Sequence, residues 1–159
     1  MKRYIKQFFL VAALVVGFAS CDSDDDSGVD TLSVGGNVVL TTTSINRVDT
    51  NVDIKLKIIT KSGVTASKIE IYNNVAITTA SAAIPTAPVK LGTKFTDATI
   101  VDATSAKFSS SVLTTGGVFN FPSLSTGVTP IQLAIVTTYS DGSTTNNPYV
   151  LSVKAPVTK

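Results

Sequence analysis

The chain has 159 residues, 43% of them hydrophobic and 15% charged, with 13 Lys and Arg against 11 Asp and Glu. Histidine and tryptophan are absent and there is a single cysteine, which excludes Ser-His-Asp triads, Cys-His pairs, disulfides and the usual zinc and iron sites. The weak and scattered charge also argues against a nucleic-acid-binding protein.

The first 20 residues have the parts of a bacterial export signal. Residues 8–20 form an apolar stretch as long as a signal-peptide core and well short of the roughly 20 residues that span a bilayer. The basic residues that precede it are Lys2, Arg3 and Lys6. Small residues lie directly before Cys21, as at the site where a prolipoprotein is lipidated on the thiol and then cleaved. We therefore expect residues 1–20 to be removed and Cys21 to carry acyl chains such as palmitate.

An acidic run follows the cysteine and consists of Asp22, Asp24, Asp25 and Asp26. In this respect the chain resembles the surface lipoproteins of the Bacteroidota, which often carry an aspartate- or glutamate-rich stretch just after the lipidated cysteine. The resemblance implies that the acidic run is an export signal and that the protein is anchored in the outer membrane, facing the cell exterior. The alternative is a lipoprotein that faces the periplasm.

Residues 21–31 are also expected to form a flexible tether, because a short acidic segment cannot bury enough apolar area to offset its ordering entropy. The aspartates lack the glycine and the closing bidentate carboxylate of a calcium loop, so we predict no metal and no cofactor.

Removal of the signal leaves 10 basic against 11 acidic residues, and the segment after the tether has 10 against 6, a net charge near +4.

The segment 32–159 is predicted to form one domain, long enough for a two-layer core. Its clearest strand lies around residues 52–58, where Val52, Ile54, Leu56 and Ile58 alternate with polar residues, the period-2 pattern of a half-buried strand. Shorter strand candidates are 38–41, 67–72, 75–79, 89–91, 95–101, 107–113 and 118–121. Residues 80–88 contain two prolines, which indicates an extended connection or a partner-binding surface loop.

The C-terminal part has the pattern of a β-hairpin. Apolar or aromatic residues recur at every second position from Ile131 to Tyr139, and again at Tyr149, Leu151 and Val153. Residues 140–143 between them suit a turn, and the polar stretch that continues to residue 147 predicts a loop longer than two residues.

We therefore predict an all-β fold, a single immunoglobulin-like Greek-key β-sandwich of seven to nine strands. Residues 128–154 resemble the closing strand pair of bacterial immunoglobulin-like and fibronectin-type-III-like modules. The cysteine and tryptophan hallmarks of antibody domains are absent.

Three groups of residues are candidates for a site. Tyr72, Tyr139 and Tyr149 suit an aromatic platform for a glycan or a peptide, although strand phase favours core positions for the last two. Four carboxylates are candidates for hydrolysis, although turn and surface roles are favoured for them: Glu70, Asp97, Asp102 and Asp141. Lys55, Lys57 and Lys107 form a small basic patch if their strands adjoin.

The leading functional hypothesis is a non-enzymatic surface lipoprotein that binds a partner, as an accessory subunit of an outer-membrane uptake or envelope complex. This rests on the export signal and the fold class. The alternatives are an adhesin or pilin-like structural protein, and a small carboxylate-dependent hydrolase.

Overall fold

The computed structural model describes residues 34–76, 89–119 and 127–155. These residues form mostly β-strands, with one short 3-10 helix at Ser110–Leu113, so the all-β prediction is confirmed. The strands are β1 (Gly36–Leu40), β2 (Ser44–Asn46), β3 (Asp53–Thr60), β4 (Ala66–Asn74), β5 (Leu91–Asp97), β6 (Thr99–Asp102), β7 (Ser105–Ser109), β8 (Thr114–Thr115), β9 (Val118–Phe119), β10 (Val128–Tyr139) and β11 (Thr144–Lys154).

The strands form two main sheets and one small hairpin. The four-stranded sheet has the order β1-β3-β7-β6, and the five-stranded sheet has the order β2-β11-β10-β4-β5. Neighbouring strands are antiparallel except for β2, which lies parallel to β11, and β8 pairs with β9. The apolar residues of both main sheets join in one hydrophobic core.

Period-2 alternation decides which side chains of β3 and β10 enter this core. In β3 the predicted residues Ile54, Leu56 and Ile58 are buried, and the polar residues between them are exposed. In β10, which pairs on both sides, Leu133 and Ile135 are fully buried. Full burial of such a side chain contributes roughly 1.5–3 kcal/mol, so these two strands supply much of the driving force for folding.

The predicted C-terminal hairpin is confirmed as β10 and β11, joined by a four-residue loop at positions 140–143. The loop is shorter than predicted, because the polar residues 144–147 belong to β11 and pair with residues 135–138 of β10. Asn147 also donates from Nδ2 to Oδ1 of Asn37 at 2.7 Å. Backbone pairing and the partner amide thus accommodate polar side chains that the sequence pattern assigned to a loop.

Other predicted segments differ from the observed strands. Residues 95–101 are not one strand: β5 ends at Asp97, and Ala98 is buried and donates its N–H to the Ile69 carbonyl at 2.8 Å. The next residue begins β6 in the other sheet. Residues 107–113 end as a 3-10 helix, because Ser109 Oγ accepts the N–H of Ser111 at 3.2 Å.

Several sequence predictions lie partly or wholly outside the described residues. These are the signal 1–20, Cys21, the aspartates and tether of residues 21–31, the connection 80–88, and the ends of the candidates 75–79 and 118–121. Of the strand candidate 75–79, only residues 75–76 are described, and they form a turn. Within the described ranges, no helix has the length and apolar character needed to cross a bilayer.

Hydrogen bonds between side chains and backbone connect the two sheets where β1 lies beside β11. Tyr149 packs against the core and donates from its hydroxyl to the carbonyl of Val38, a residue with 0% exposure. This bond ties an edge strand of one sheet to a strand of the other.

Replacing this hydroxyl tests that link. Tyr149→Phe leaves the buried Val38 carbonyl with one partner fewer, so we expect the free energy of unfolding to fall by about 1–2 kcal/mol. Tyr72→Phe is the matched control, because the Tyr72 hydroxyl lies 3.4 Å from Glu70 Oε1, a long and weak hydrogen bond, and we expect a change below about 0.5 kcal/mol. Urea unfolding of the two variants and the wild type measures both values; equal losses would contradict the assignment.

Candidate functional site

The outer face of the four-stranded sheet carries the predicted basic patch. Because β3 pairs antiparallel with β7, Lys55 lies directly opposite Lys107, and Lys57 lies two residues further along β3 on the same face. The three lysines point outward because the residues between them on β3 and β7 point into the core. The two strands do adjoin, so the condition that the sequence analysis set for a basic patch is met.

A shallow hollow of about 450 Å³ lies over this patch. Its floor is formed by β3 and β7, and its walls by the end of β1 and by the segment that connects β6 to β7. The polar residues that line it are Thr41, Asp53, Lys55, Lys57, Thr104, Ser105 and Lys107. The hollow is open to solvent, and its volume lies within the range of volumes found for small-molecule sites, roughly 300–1,000 Å³.

The charges in the hollow are unevenly compensated. Lys107 Nζ forms an ion pair with Asp53 Oδ2 at 2.8 Å. Lys55 and Lys57 are exposed and form no ion pair with any residue that the structure describes. Two ammonium groups therefore face solvent beside one neutralised pair, and the hollow carries a net positive charge of about two.

The wall formed by the β6–β7 turn is held by Asp102. Its carboxylate accepts the N–H of Thr104 at 2.7 Å, the Thr104 hydroxyl at 2.8 Å and the Ser105 hydroxyl at 2.6 Å. The Ser105 and Thr104 hydrogen bonds lower the pKa of Asp102 to about 2. Asp102 is thus a turn residue, and it orients two hydroxyl groups at the rim of the hollow.

The other carboxylate candidates lie elsewhere. Glu70 accepts from Lys68 at 2.8 Å and from Lys94 at 2.6 Å, and these hydrogen bonds lower the pKa of Glu70 to about 2. Lys94 also pairs with Asp97 at 2.8 Å, so the structure brings Glu70 and Asp97 together through a shared lysine.

Asp141 lies in the β10–β11 turn, where the hydroxyl and the N–H of Ser143 lower its pKa. A catalytic carboxyl pair needs one raised pKa, and the resolved shifts of Glu70, Asp102 and Asp141 are all downward. These three carboxylates stabilise turns and strand surfaces.

The core positions favoured by strand phase for Tyr139 and Tyr149 are confirmed, and the three tyrosines form no common platform because Tyr72 lies on the other face of the same sheet. Tyr139 is buried in the core region with 1% exposure, and burial raises its pKa. Tyr149 is half-buried and bonded to the Val38 carbonyl, whereas Tyr72 lies on the outer face of the five-stranded sheet beside Glu70.

Sequence reasoning missed a second hollow of about 430 Å³ between the β2–β3 loop and the β8–β9 hairpin. Val48 and Val118 line it and are 71% and 58% exposed. The paired glycines at positions 116–117, both with positive φ, form the hairpin turn and were the only signal in the sequence. Among the described residues, no group of three or more acidic, histidine or cysteine side chains is placed to hold a metal ion.

The chain was compared with protein families, with curated proteins and with solved structures. No family model, curated protein or solved structure matches it.

Because Lys55 lies directly opposite Lys107, we expect repulsion between the two lysines to lower the free energy of unfolding. Like charges directly opposite each other on neighbouring strands are destabilising, and opposite charges contribute roughly 0.2–1 kcal/mol. We expect Lys55→Glu to raise the free energy of unfolding by a few tenths of a kcal/mol in low salt, with the gain disappearing at 1 M salt because exposed charges are screened. Lys154→Glu, the same charge change at the end of β11, is the control and is expected to show no gain. Urea unfolding at both salt concentrations measures this; a destabilised Lys55→Glu protein would contradict the prediction.

The lowered pKa of Glu70 predicts an acid-dependent contribution to stability. A carboxyl whose pKa is about 2 in the folded chain, against an ordinary value of 4.5, stabilises the fold above about pH 4.5 and loses this contribution as pH falls towards 2. We expect the melting temperature of Glu70→Gln to lie below that of the wild type at pH 6 and the difference to shrink between pH 4.5 and 2. Asp102 and Asp141 titrate in both proteins and cancel in the comparison. A difference that is constant from pH 6 to pH 2 would count against the assignment.

Proposed function

We propose that this protein is a non-enzymatic binding protein, anchored by acyl chains on Cys21 in the outer membrane and exposed on the cell exterior. The export signal, the cysteine and the four aspartates after it support the location. The observation that carries the binding role is the open hollow, where Lys55 and Lys57 have no ion-pair partner among the described residues. Its role is that of an accessory subunit beside an uptake or other envelope complex.

We propose further that the fold is an immunoglobulin-like Greek-key sandwich. The order β1-β3-β7-β6 corresponds to the A-B-E-D sheet of that plan, and β11-β10-β4 corresponds to G-F-C. β5 then occupies the position of the additional strand C′ beside strand C, as in variable-type domains. The two main sheets together have nine strands, the upper end of the number expected from the sequence.

An adhesin or pilin-like protein that assembles by strand addition is the second candidate. It requires an edge strand that is open to pairing, and three of the four edges of the described sheets are poorly suited to that; the fourth, β1, has five residues and a regular register. β2 has three residues, and the pairing of both β5 and β6 with their neighbours is interrupted by register shifts. Short and bulged edges discourage pairing with another chain, so the accessory-subunit role ranks first.

The lipid anchor is tested by Cys21→Ser, with Ser23→Ala as the control. We expect the wild type and the control to incorporate labelled palmitate, to fractionate with the outer membrane and to be cleaved by protease added to intact cells. We expect Cys21→Ser to do none of these, because a protein without acyl chains has no stable anchor.

A detergent pull-down with the wild type is expected to recover envelope proteins. An unmodified thiol in the wild type by intact-mass analysis would refute the anchor. Recovery of no envelope protein above background would refute the accessory-subunit role.

A further inference from the structure

We propose that the hollow beside Lys55 and Lys57 binds an acidic sugar, a hydroxyl-rich ring that carries a carboxylate, as one unit of an acidic polysaccharide. This deepens the binding role proposed above and rests on it for its setting at the cell surface. Three features of the hollow support it: the arrangement of the cations, the hydroxyl groups around them and the small net positive charge.

The first feature is the arrangement of the cations. Lys55 and Lys57 lie on one face of β3, with Cα atoms about 6.6 Å apart, so two flexible side chains can converge on a single carboxylate. Lys55 also faces Lys107, and an anion placed between them relieves the repulsion of that cross-strand pair. The hollow therefore offers two ammonium donors, and the only acidic residue among the described residues that line it is Asp53, which is engaged by Lys107.

The second feature is the set of oxygen atoms around the cations. The hydroxyls of Thr104 and Ser105 donate their hydrogens to Asp102, and the Thr41 hydroxyl donates to the Lys55 carbonyl at 2.9 Å. Each hydroxyl oxygen retains lone pairs that accept hydrogen bonds. The lining around the lysines therefore consists of acceptors, which are complementary to the hydroxyl hydrogens of a sugar ring and not to a bare anion.

The third feature is the charge balance. Asp53 neutralises Lys107, which leaves two uncompensated cations. Two cations suit one or two carboxylates of a sugar chain and are too few to hold a densely charged polyanion such as a nucleic acid. None of the described residues that line the hollow is aromatic, so binding depends on charge-assisted hydrogen bonds and is expected to weaken steeply with salt.

The test uses the full-length lipoprotein in mild detergent and three polymers: polygalacturonate, uncharged dextran and polyglutamate. We expect polygalacturonate to bind in low salt, dextran not to bind, and polyglutamate to bind at least several-fold more weakly, because it has the carboxylates without the ring hydroxyls. Lys55→Glu and Lys57→Glu should each weaken polygalacturonate binding by roughly tenfold or more. Lys154→Glu, the matched charge change outside the hollow, should leave binding within about twofold.

The outcomes are separable. Equal binding of polyglutamate and polygalacturonate would mean that charge alone is recognised, and equal binding of dextran would mean that the lysines are not used; either overturns the proposal. Failure of all three polymers to bind also overturns it, while a surface-exposed wild type that still recovers envelope proteins would leave the proposed function standing. Conversely, if the wild type has an unmodified Cys21 thiol and still binds polygalacturonate, the sugar site is supported and the anchor is refuted. Thermal unfolding of each variant shows that loss of binding does not reflect loss of fold.

Discussion

Burial of alternate side chains of β3 and β10 in one core is the constraint on which the remaining structure depends. Both strands bury alternate apolar residues, and a shift of one residue in the pairing would move those residues to the outer face; in β3 it would also bury Asp53, Lys55 and Lys57. The penalty for such a shift fixes the registers of β3 with β7 and of β10 with β4 and β11. The outward residues have no freedom of their own: Lys55 lies opposite Lys107 because Leu56 and Ala106 must lie in the core.

The register that the core imposes on β3 and β7 also explains an unfavourable pair of like charges on the outer face. Two lysines face each other on neighbouring strands, and only Lys107 has an acidic partner, Asp53. On the five-stranded sheet, by contrast, Glu70 pairs with two lysines and Lys94 pairs with two carboxylates. Positions that violate the local rules for stability are where binding sites are expected, since a ligand supplies the missing partner.

The sequence predicted the parts of this structure that depend on a local period. β3 and the hairpin of β10 with β11 were found because their alternation is long and regular. The break at Ala98, where the chain leaves one sheet for the other, was missed because strand-forming residues continue through it. β2 was missed because three residues are too few to show a period, and the polar start of β11 was missed because its stability comes from pairing and not from apolar side chains.

The lysines of the candidate site could be identified from the sequence, but the strand pairing that brings them together could not. Lys55, Lys57 and Lys107 were identified as a patch that required adjacent strands, but the adjacency of β3 and β7 joins residues about 50 positions apart. The salt bridge of Asp53, the turn held by Asp102 and the hollow itself follow from that long-range register. All three tyrosines belong to the five-stranded sheet, where Tyr139 and Tyr149 take the inward positions that strand phase favoured and Tyr72 lies on the outer face.

The start of β1 lies at the same end of the domain as the β10–β11 turn. Gly35 donates its N–H to Ser143 Oγ at 2.8 Å, and a side chain at Gly36 would meet the Ile59 carbonyl at 2.5 Å, so the N-terminal strand is seated tightly against the β10–β11 turn. Arg47 bonds to the Lys154 carbonyl at the opposite end of β10, about 36 Å away by strand length. The described chain therefore begins at the hairpin-turn end of the domain, and under the anchoring proposed above the second hollow lies at the opposite end.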